Sequence, residues 1–131
     1  MKFLYEYLEE LKDEKSKGII FINNLGKENF LSYSLFREHV ISFLTWLRKN
    51  NINQNDYLII KVHDKELYLT AVWACIYGKI KCICTPLDKT NIDKKLLEIE
   101  NVFMLIDESV EISDEKIIKI DYSIFNDFDE K

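Results

Sequence analysis

The chain has 131 residues, 47% hydrophobic and 31% charged, which is ordinary globular chemistry and not that of a disordered chain. A formal charge of −5 and a pI near 5.1 speak against nucleic acid or an acidic membrane as a partner. No run reaches the ~20 apolar residues of a membrane span, Glu6, Glu9 and Glu10 interrupt any leader-like segment, and three cysteines suit a reducing compartment, so a single cytoplasmic domain is expected.

In chain order, residues 3–15 predict an acidic amphipathic helix with Leu4, Tyr7, Leu8 and Leu11 on one face. Gly18 to Asn23 predicts a strand, Asn24 to Lys27 a turn of residues that tolerate positive φ, and Phe30 to Tyr33 the returning strand of a hairpin. Ser32 or Ser34 can cap the next helix, Leu35 to Lys49, which carries Phe36, Val40, Phe43, Leu44 and Leu47 at core spacing. Arg48 and Lys49 then lie favourably at its C-terminal dipole.

The stretch from Asp56 to Asp88 organises the rest. Tyr57 to Val62 is short and apolar, as an interior strand would be. Glu66 to Tyr77 has the length of a helix, with Gly78 where a left-handed residue would end it. Ile80 to Thr85 is the second strand, closed by Pro86. Strand, helix and strand in this order predict a parallel pair with a right-handed crossover. A loop from Asp88 to Asn91, a helix from Ile92 to Glu100 and strands at Val102 to Ile106 and Lys116 to Ile120 follow, before a frayed acidic tail at 126–131. The expected class is α/β: a mainly parallel sheet of about four strands, flanking helices in three layers, and an N-terminal β-hairpin.

From Leu67 to Tyr77 the central helix is apolar nearly all round, interrupted only by Thr70. Such a helix must be covered on every side, and one sheet covers only one face. The other side must meet the other helices or a surface outside this chain, and a protein partner or self-association through an apolar face near Trp73 is expected. Trp46 and Trp73 themselves read as packed core residues.

Residues that could carry chemistry are few. Gly18, Gly26 and Gly78 are too far apart to form the clustered-glycine loop that brings backbone N–H groups to phosphates. Cys82 and Cys84 share one strand face, with Cys75 nearby, but zinc would need four ligands, so buried, unreactive thiols are the expectation. His63 and Asp64 follow the first central strand, where parallel sheets place sites, yet no Ser or Cys is paired with them and loop structure is expected. His39, mid-helix, reads as a surface or half-buried residue. Lys94 and Lys95, flanked by Asp93 and Glu98, read as a solvated face. No catalytic, cofactor-binding or metal-ligating residue is assigned.

Several motifs in order are similar to one family. Leu31-Ser32-Tyr33-Ser34-Leu35-Phe36 resembles the Leu-Thr/Ser-Tyr-x-Glu-Leu hairpin-to-helix motif of the adenylate-forming (AMP-binding) superfamily, without its Glu. Asn55-Asp56-Tyr57-Leu58-Ile59-Ile60 is similar to its Gly-Asp strand start. Trp73-Ala74-Cys75-Ile76-Tyr77-Gly78 resembles the end of its apolar helix, and Pro86-Leu87-Asp88 the close of its second core motif. The resemblance runs from about Gly18 to Asp107. It departs where the family places a glycine five residues before the proline, which here is Lys81.

The superfamily includes acyl-CoA synthetases, fatty acyl-AMP ligases and nonribosomal peptide synthetase adenylation domains. The resemblance implies a truncated N-terminal portion of an acyl- or aminoacyl-adenylate-forming enzyme, structural and without activity alone. The family's phosphate loop and C-terminal subdomain have no counterpart in these residues, so ATP and Mg2+ would enter only with the missing remainder. The alternative is a stand-alone docking or dimerisation module of a peptide or polyketide assembly line, for which an acidic tail closing on polar residues would suit a natural terminus. A small α/β enzyme using His63 and Asp64 ranks third.

Overall fold

The computed structural model describes residues 3–85, 87, 90–110 and 114–125. Its elements are α1 (Leu4–Glu9), β1 (Gly18–Ile22), β2 (Glu28–Ser32), α2 (Tyr33–Lys49), β3 (Tyr57–Lys61), α3 (Lys65–Gly78), β4 (Lys81–Ile83), α4 (Thr90–Leu97), β5 (Val102–Ile106) and β6 (Ile117–Lys119). A short 3-10 turn, Tyr122–Phe125, follows. Strands β1 and β2 form a separate antiparallel hairpin, and the four others form a parallel sheet in the order β4-β3-β5-β6.

Alternation along the central strands builds three layers. Leu58, Ile60 and Leu105 point into a core with α2 and α3, whereas Ile59, Val102, Met104 and Ile106 pack with Leu97 of α4 on the opposite face. A parallel sheet needs both faces covered, and here both are. The α/β class, the four parallel strands and the hairpin agree with the sequence reading. Pro86, Asp88 and the tail at 126–131 lie outside the described residues.

Several boundaries differ from expectation, each for a local reason. Helix α1 stops at Glu9 and continues only as turns. Of its four apolar residues Leu8 alone is buried, while Leu4 and Tyr7 are exposed. Ser32, not Ser34, caps α2 by accepting the Leu35 N–H at 3.1 Å. Gly78 does not terminate α3. It is the last helical residue, and Lys79 takes the left-handed conformation at φ 57°. What Gly78 supplies is space, since a Cβ there would lie 2.5 Å from Leu44 Cδ1 of α2. Gly18 does the same in the hairpin, where a Cβ would lie 2.0 Å from the Leu31 carbonyl oxygen.

Other residues are placed differently than the pattern suggested. His39 is buried and stacks on Phe125, ring centroids 4.2 Å apart, because the 3-10 turn folds back over α2. Trp46 and Trp73 pack against the main core but stay half-buried at its margin. Cys75 is buried, but Cys82 and Cys84 are exposed, contrary to the expectation of three buried thiols. Cys82 sits on a three-residue edge strand with no described strand on its outer side, and Cys84 lies just beyond its end.

The sheet's α4 face also holds an ion pair that the charge pattern concealed. Lys61 Nζ lies 3.0 Å from Asp93 Oδ2, with the side chains 3% and 0% exposed. Thr85 Oγ1 donates to the other carboxylate oxygen at 2.8 Å. Lys94 and Lys95 are exposed, as a solvated face requires, but Asp93 is not part of that face. Desolvating two charges is tolerated only while both remain together.

Two outcomes follow for urea denaturation. Asp93→Ala leaves a buried ammonium without its carboxylate and is expected to cost about 3–5 kcal/mol, with Lys61→Met/Asp93→Leu together costing less than that single change. Gly18→Ala meets backbone and is expected to cost about 3 kcal/mol or more. Gly78→Ala meets only side-chain atoms of Leu44 and Ile80 and gains helix propensity, so a net loss of about 1 kcal/mol is expected.

Candidate functional site

The C-terminal ends of β3 and β5 stop side by side because Lys61 is in register with Ile106. That register brings His63 and Asp64 against Asp107 and Glu108, at the end of a parallel sheet where ligands commonly sit. The Asp107 carboxylate accepts the backbone N–H of His63 at 3.0 and 3.1 Å and of Asp64 at 2.9 Å. His63 Nδ1 lies 3.2 Å from Asp107 and 3.2 Å from Glu108. Asp64 turns the other way: its Oδ1 accepts the Leu67 N–H at 3.0 Å, capping α3, and the Tyr122 hydroxyl at 2.6 Å. Nearby, Asn29 of the hairpin donates to Glu66 at 2.7 Å, linking β2 to the first turn of α3.

These side chains line an open trough of about 750 Å³ between the hairpin and the strand ends. Beside it runs an apolar groove of about 670 Å³, walled by Ile19, Phe21, Val62, Tyr68, Leu69 and Leu87.

Electrostatics separate the carboxylates. Burial pushes Asp107 up, but two backbone N–H groups and the His63 ring outweigh it and hold its carboxyl below the ordinary 3.8. Glu66 moves the opposite way: burial raises it, the Asn29 bond offsets this in part, and the nearby Asp64 charge raises it further. Burial, then the bond to Asp64, raise the Tyr122 hydroxyl.

Chemically, His63 and Asp107 form a dyad able to hold one proton at Nδ1. No serine hydroxyl or cysteine thiol hydrogen-bonds to it among the described residues. Asp107 works mainly on the backbone: it pins the turn between β3 and α3. The carboxylates gathered here would repel a polyphosphate, and the three glycines stand apart in β1, in the hairpin turn and at the end of α3. Among the described residues no group of three or more His, Cys, Asp or Glu is arranged to hold a metal ion. Nor is any helix among them long and apolar enough to cross a membrane.

Sequence reading singled out His63 and Asp64 but missed Asp107, Glu108 and Tyr122. The first two had a signal, since parallel strands in register end together. Tyr122 had none, because it arrives on a non-repetitive turn.

No protein-family model matches the chain. Solved structures do. Residues amounting to 82% of the chain superpose on 21% of McyG A-PCP complexed with phenylalanyl-adenylate, at a TM-score of 0.71 and 24% identity. The Klebsiella oxytoca NpsA N-terminal subdomain in complex with 3-hydroxybenzoyl-AMSN gives a TM-score of 0.72 at 13% identity, covering 91% of this chain and 30% of that one. A benzoate CoA ligase from Burkholderia xenovorans LB400 gives 0.62 at 14% identity, covering 82% and 26%. The fold is that of an N-terminal portion of the adenylate-forming enzymes. The chain spans from 21% to 30% of the length of these structures.

Asp107 sets an acid limb. Because its folded pKa is lowered, its contribution is complete well above the ordinary value of 3.8 and is lost as pH falls through the lower folded value. Asp107→Ala is expected to destabilise the chain by about 1–3 kcal/mol at pH 7, through two unsatisfied N–H groups, and to flatten stability against pH below about 4. His63→Ala keeps its backbone N–H bond and should cost under about 0.5 kcal/mol.

Proposed function

We propose that the chain is the N-terminal portion of an acyl- or aminoacyl-adenylate-forming enzyme, a structural part that performs no adenylation alone. One observation carries the reading: the outer face of α3 is apolar and half-uncovered. At about 100° per residue, Thr70, Ala71, Ala74, Cys75 and Gly78 turn inward and are buried. Leu69, Val72, Trp73 and Ile76 turn outward and are only half-buried. Helix α1 covers one flank alone, where Tyr5 meets the Tyr77 ring and Glu9 accepts the Tyr77 hydroxyl at 2.9 Å and the Arg37 guanidinium at 2.8 Å.

An apolar stripe of this kind suits burial against further polypeptide, and the fold relatives are three to five times longer than the part they share. The acid that such an enzyme would activate, and the ATP and Mg2+ it would use, belong to that further polypeptide. Three cysteines without a disulfide suit the cytoplasm.

The test pairs activity with assembly. The purified chain is expected to give no carboxylate-dependent ATP–pyrophosphate exchange with aryl, amino or fatty acids. Trp73→Ser should cost only about 1–2 kcal/mol, against ~3–5 for a fully buried tryptophan, while weakening capture of the polypeptide encoded downstream of Lys131. Exchange by the chain alone would overturn the reading. A discrete homodimer in sedimentation, disrupted by Trp73→Ser, with no phosphate-loop frame encoded beside it, would instead favour the docking or dimerisation module.

A further inference from the structure

Strand β1 has one paired edge and one open edge, and its ladder to β2 fixes which groups face each way. The Tyr33 N–H donates to the Lys17 carbonyl at 2.9 Å and the Asn23 N–H to the Lys27 carbonyl at 3.0 Å. By alternation, Lys17, Ile19, Phe21 and Asn23 are the residues that exchange hydrogen bonds with β2. The backbone N–H and C=O groups of Gly18, Ile20 and Ile22 therefore point the other way, and among the described residues they have no hydrogen-bond partner. Folded proteins keep open edges unpaired with charge or proline, and Gly18–Ile22 carries neither. A two-stranded hairpin is itself marginal until a third strand or a helix supports it.

The open edge forms one wall of the apolar groove of about 670 Å³. Ile19, Ile20 and Phe21 all line it, and three consecutive strand residues share a wall only along the strand's edge, because their side chains alternate between faces. Val62 and, on the first turns of α3, Tyr68 and Leu69 make the facing wall. A strand edge opposite a helix is a shape that accepts one extended peptide, with backbone bonds along the edge and alternate side chains in the groove. No Asp or Glu lines the groove among the described residues. Lys65 lines both the groove and the acidic trough, so it stands where the two meet, exposed and without an ion pair among the described residues. An unopposed ammonium there suits a carboxylate. A fatty acid would match the apolar walls and Lys65 but would leave the backbone groups of Gly18, Ile20 and Ile22 unmet; a peptide matches all three.

We propose that this groove binds an extended segment of a partner polypeptide as a third strand on β1, apolar at alternate residues and with a carboxylate beside Lys65. Gly18, Ile20 and Ile22 supply the backbone donors and acceptors of the new ladder. The segment's inward side chains extend the face made by Ile19 and Phe21 and meet Tyr68 and Leu69. The outward ones continue the exposed face of Ile20 and Ile22. The assignment does not depend on the adenylate-forming reading.

The probe is a set of synthetic octapeptides with Ile, Val, Leu or Phe at alternate positions, Thr between them, and Asp or Asn at either end. They are added to the full chain and followed by fluorescence anisotropy. At least one Asp-bearing member is expected to bind with a Kd below about 1 mM. Backbone N-methylation of one alternating set of its amides should weaken binding about 10-fold or more, and of the other set by less than about threefold. Lys65→Gln should weaken the Asp-bearing member about threefold and leave its Asn counterpart unchanged. Amide hydrogen exchange needs no variant: in the free chain the Ile20 and Ile22 amides should exchange faster than those of Ile19 and Phe21, and bound peptide should slow Ile20 and Ile22 selectively. Failure of every peptide to bind, equal losses from the two N-methyl sets, or protection that leaves Ile20 and Ile22 untouched would overturn the proposal. So would decanoate filling the groove where no peptide does, or a homodimer in sedimentation that protects the same amides without peptide.

Discussion

The fold depends on covering both faces of β3. This strand pairs with β4 on one side and β5 on the other, and no side chain from Leu58 to Lys61 is exposed. An interior parallel strand satisfies its backbone only through neighbouring strands, and its alternate side chains must each find a separate apolar layer. Leu58 and Ile60 find α2 and α3, while Ile59 finds α4 and Lys61 finds Asp93 on α4. Losing either layer exposes half of the strand.

That requirement explains where the molecule is tight and where it is open. Gly78 allows α2 and α3 to approach through Leu44, so the inner layer is dense. On the outer side of α3, among the described residues, α1 covers one flank, where Tyr5 meets Tyr77, and Leu69, Val72, Trp73 and Ile76 stay half-buried. An apolar stripe left half in water is costly in an isolated domain and reasonable in part of a larger one. Among the described strands β4 lies at an edge of the sheet, and Cys82 on it and Cys84 just beyond it are exposed.

The strand ends do a different job. Asp107 spends its carboxylate on two backbone N–H groups, and Asp64 spends its own on the first turn of α3 and on Tyr122. Groups committed to holding a turn have little left for a substrate. The constellation at the sheet end braces the β3–α3 junction.

Element type and order were legible in the sequence. Period-two and period-3.6 patterns are local, and the βαβ order restricts the sheet to few topologies. Thus the hairpin, α2, β3, α3 and β5 were found close to their observed limits, and the motif order pointed to the right fold. Pattern could not say which apolar residues lack a neighbour. Leu4, Tyr7, Trp73, Cys82 and Cys84 have the composition of core residues, but burial depends on what packs opposite, and that is non-local. Nor could it see Lys61 with Asp93, or Asp107 beneath His63, since each pair joins elements separated in sequence by a helix or a strand. Chemical type and periodicity determined the architecture; only the register of parallel strands and the reach of each covering helix decided which groups met and which faces stayed open.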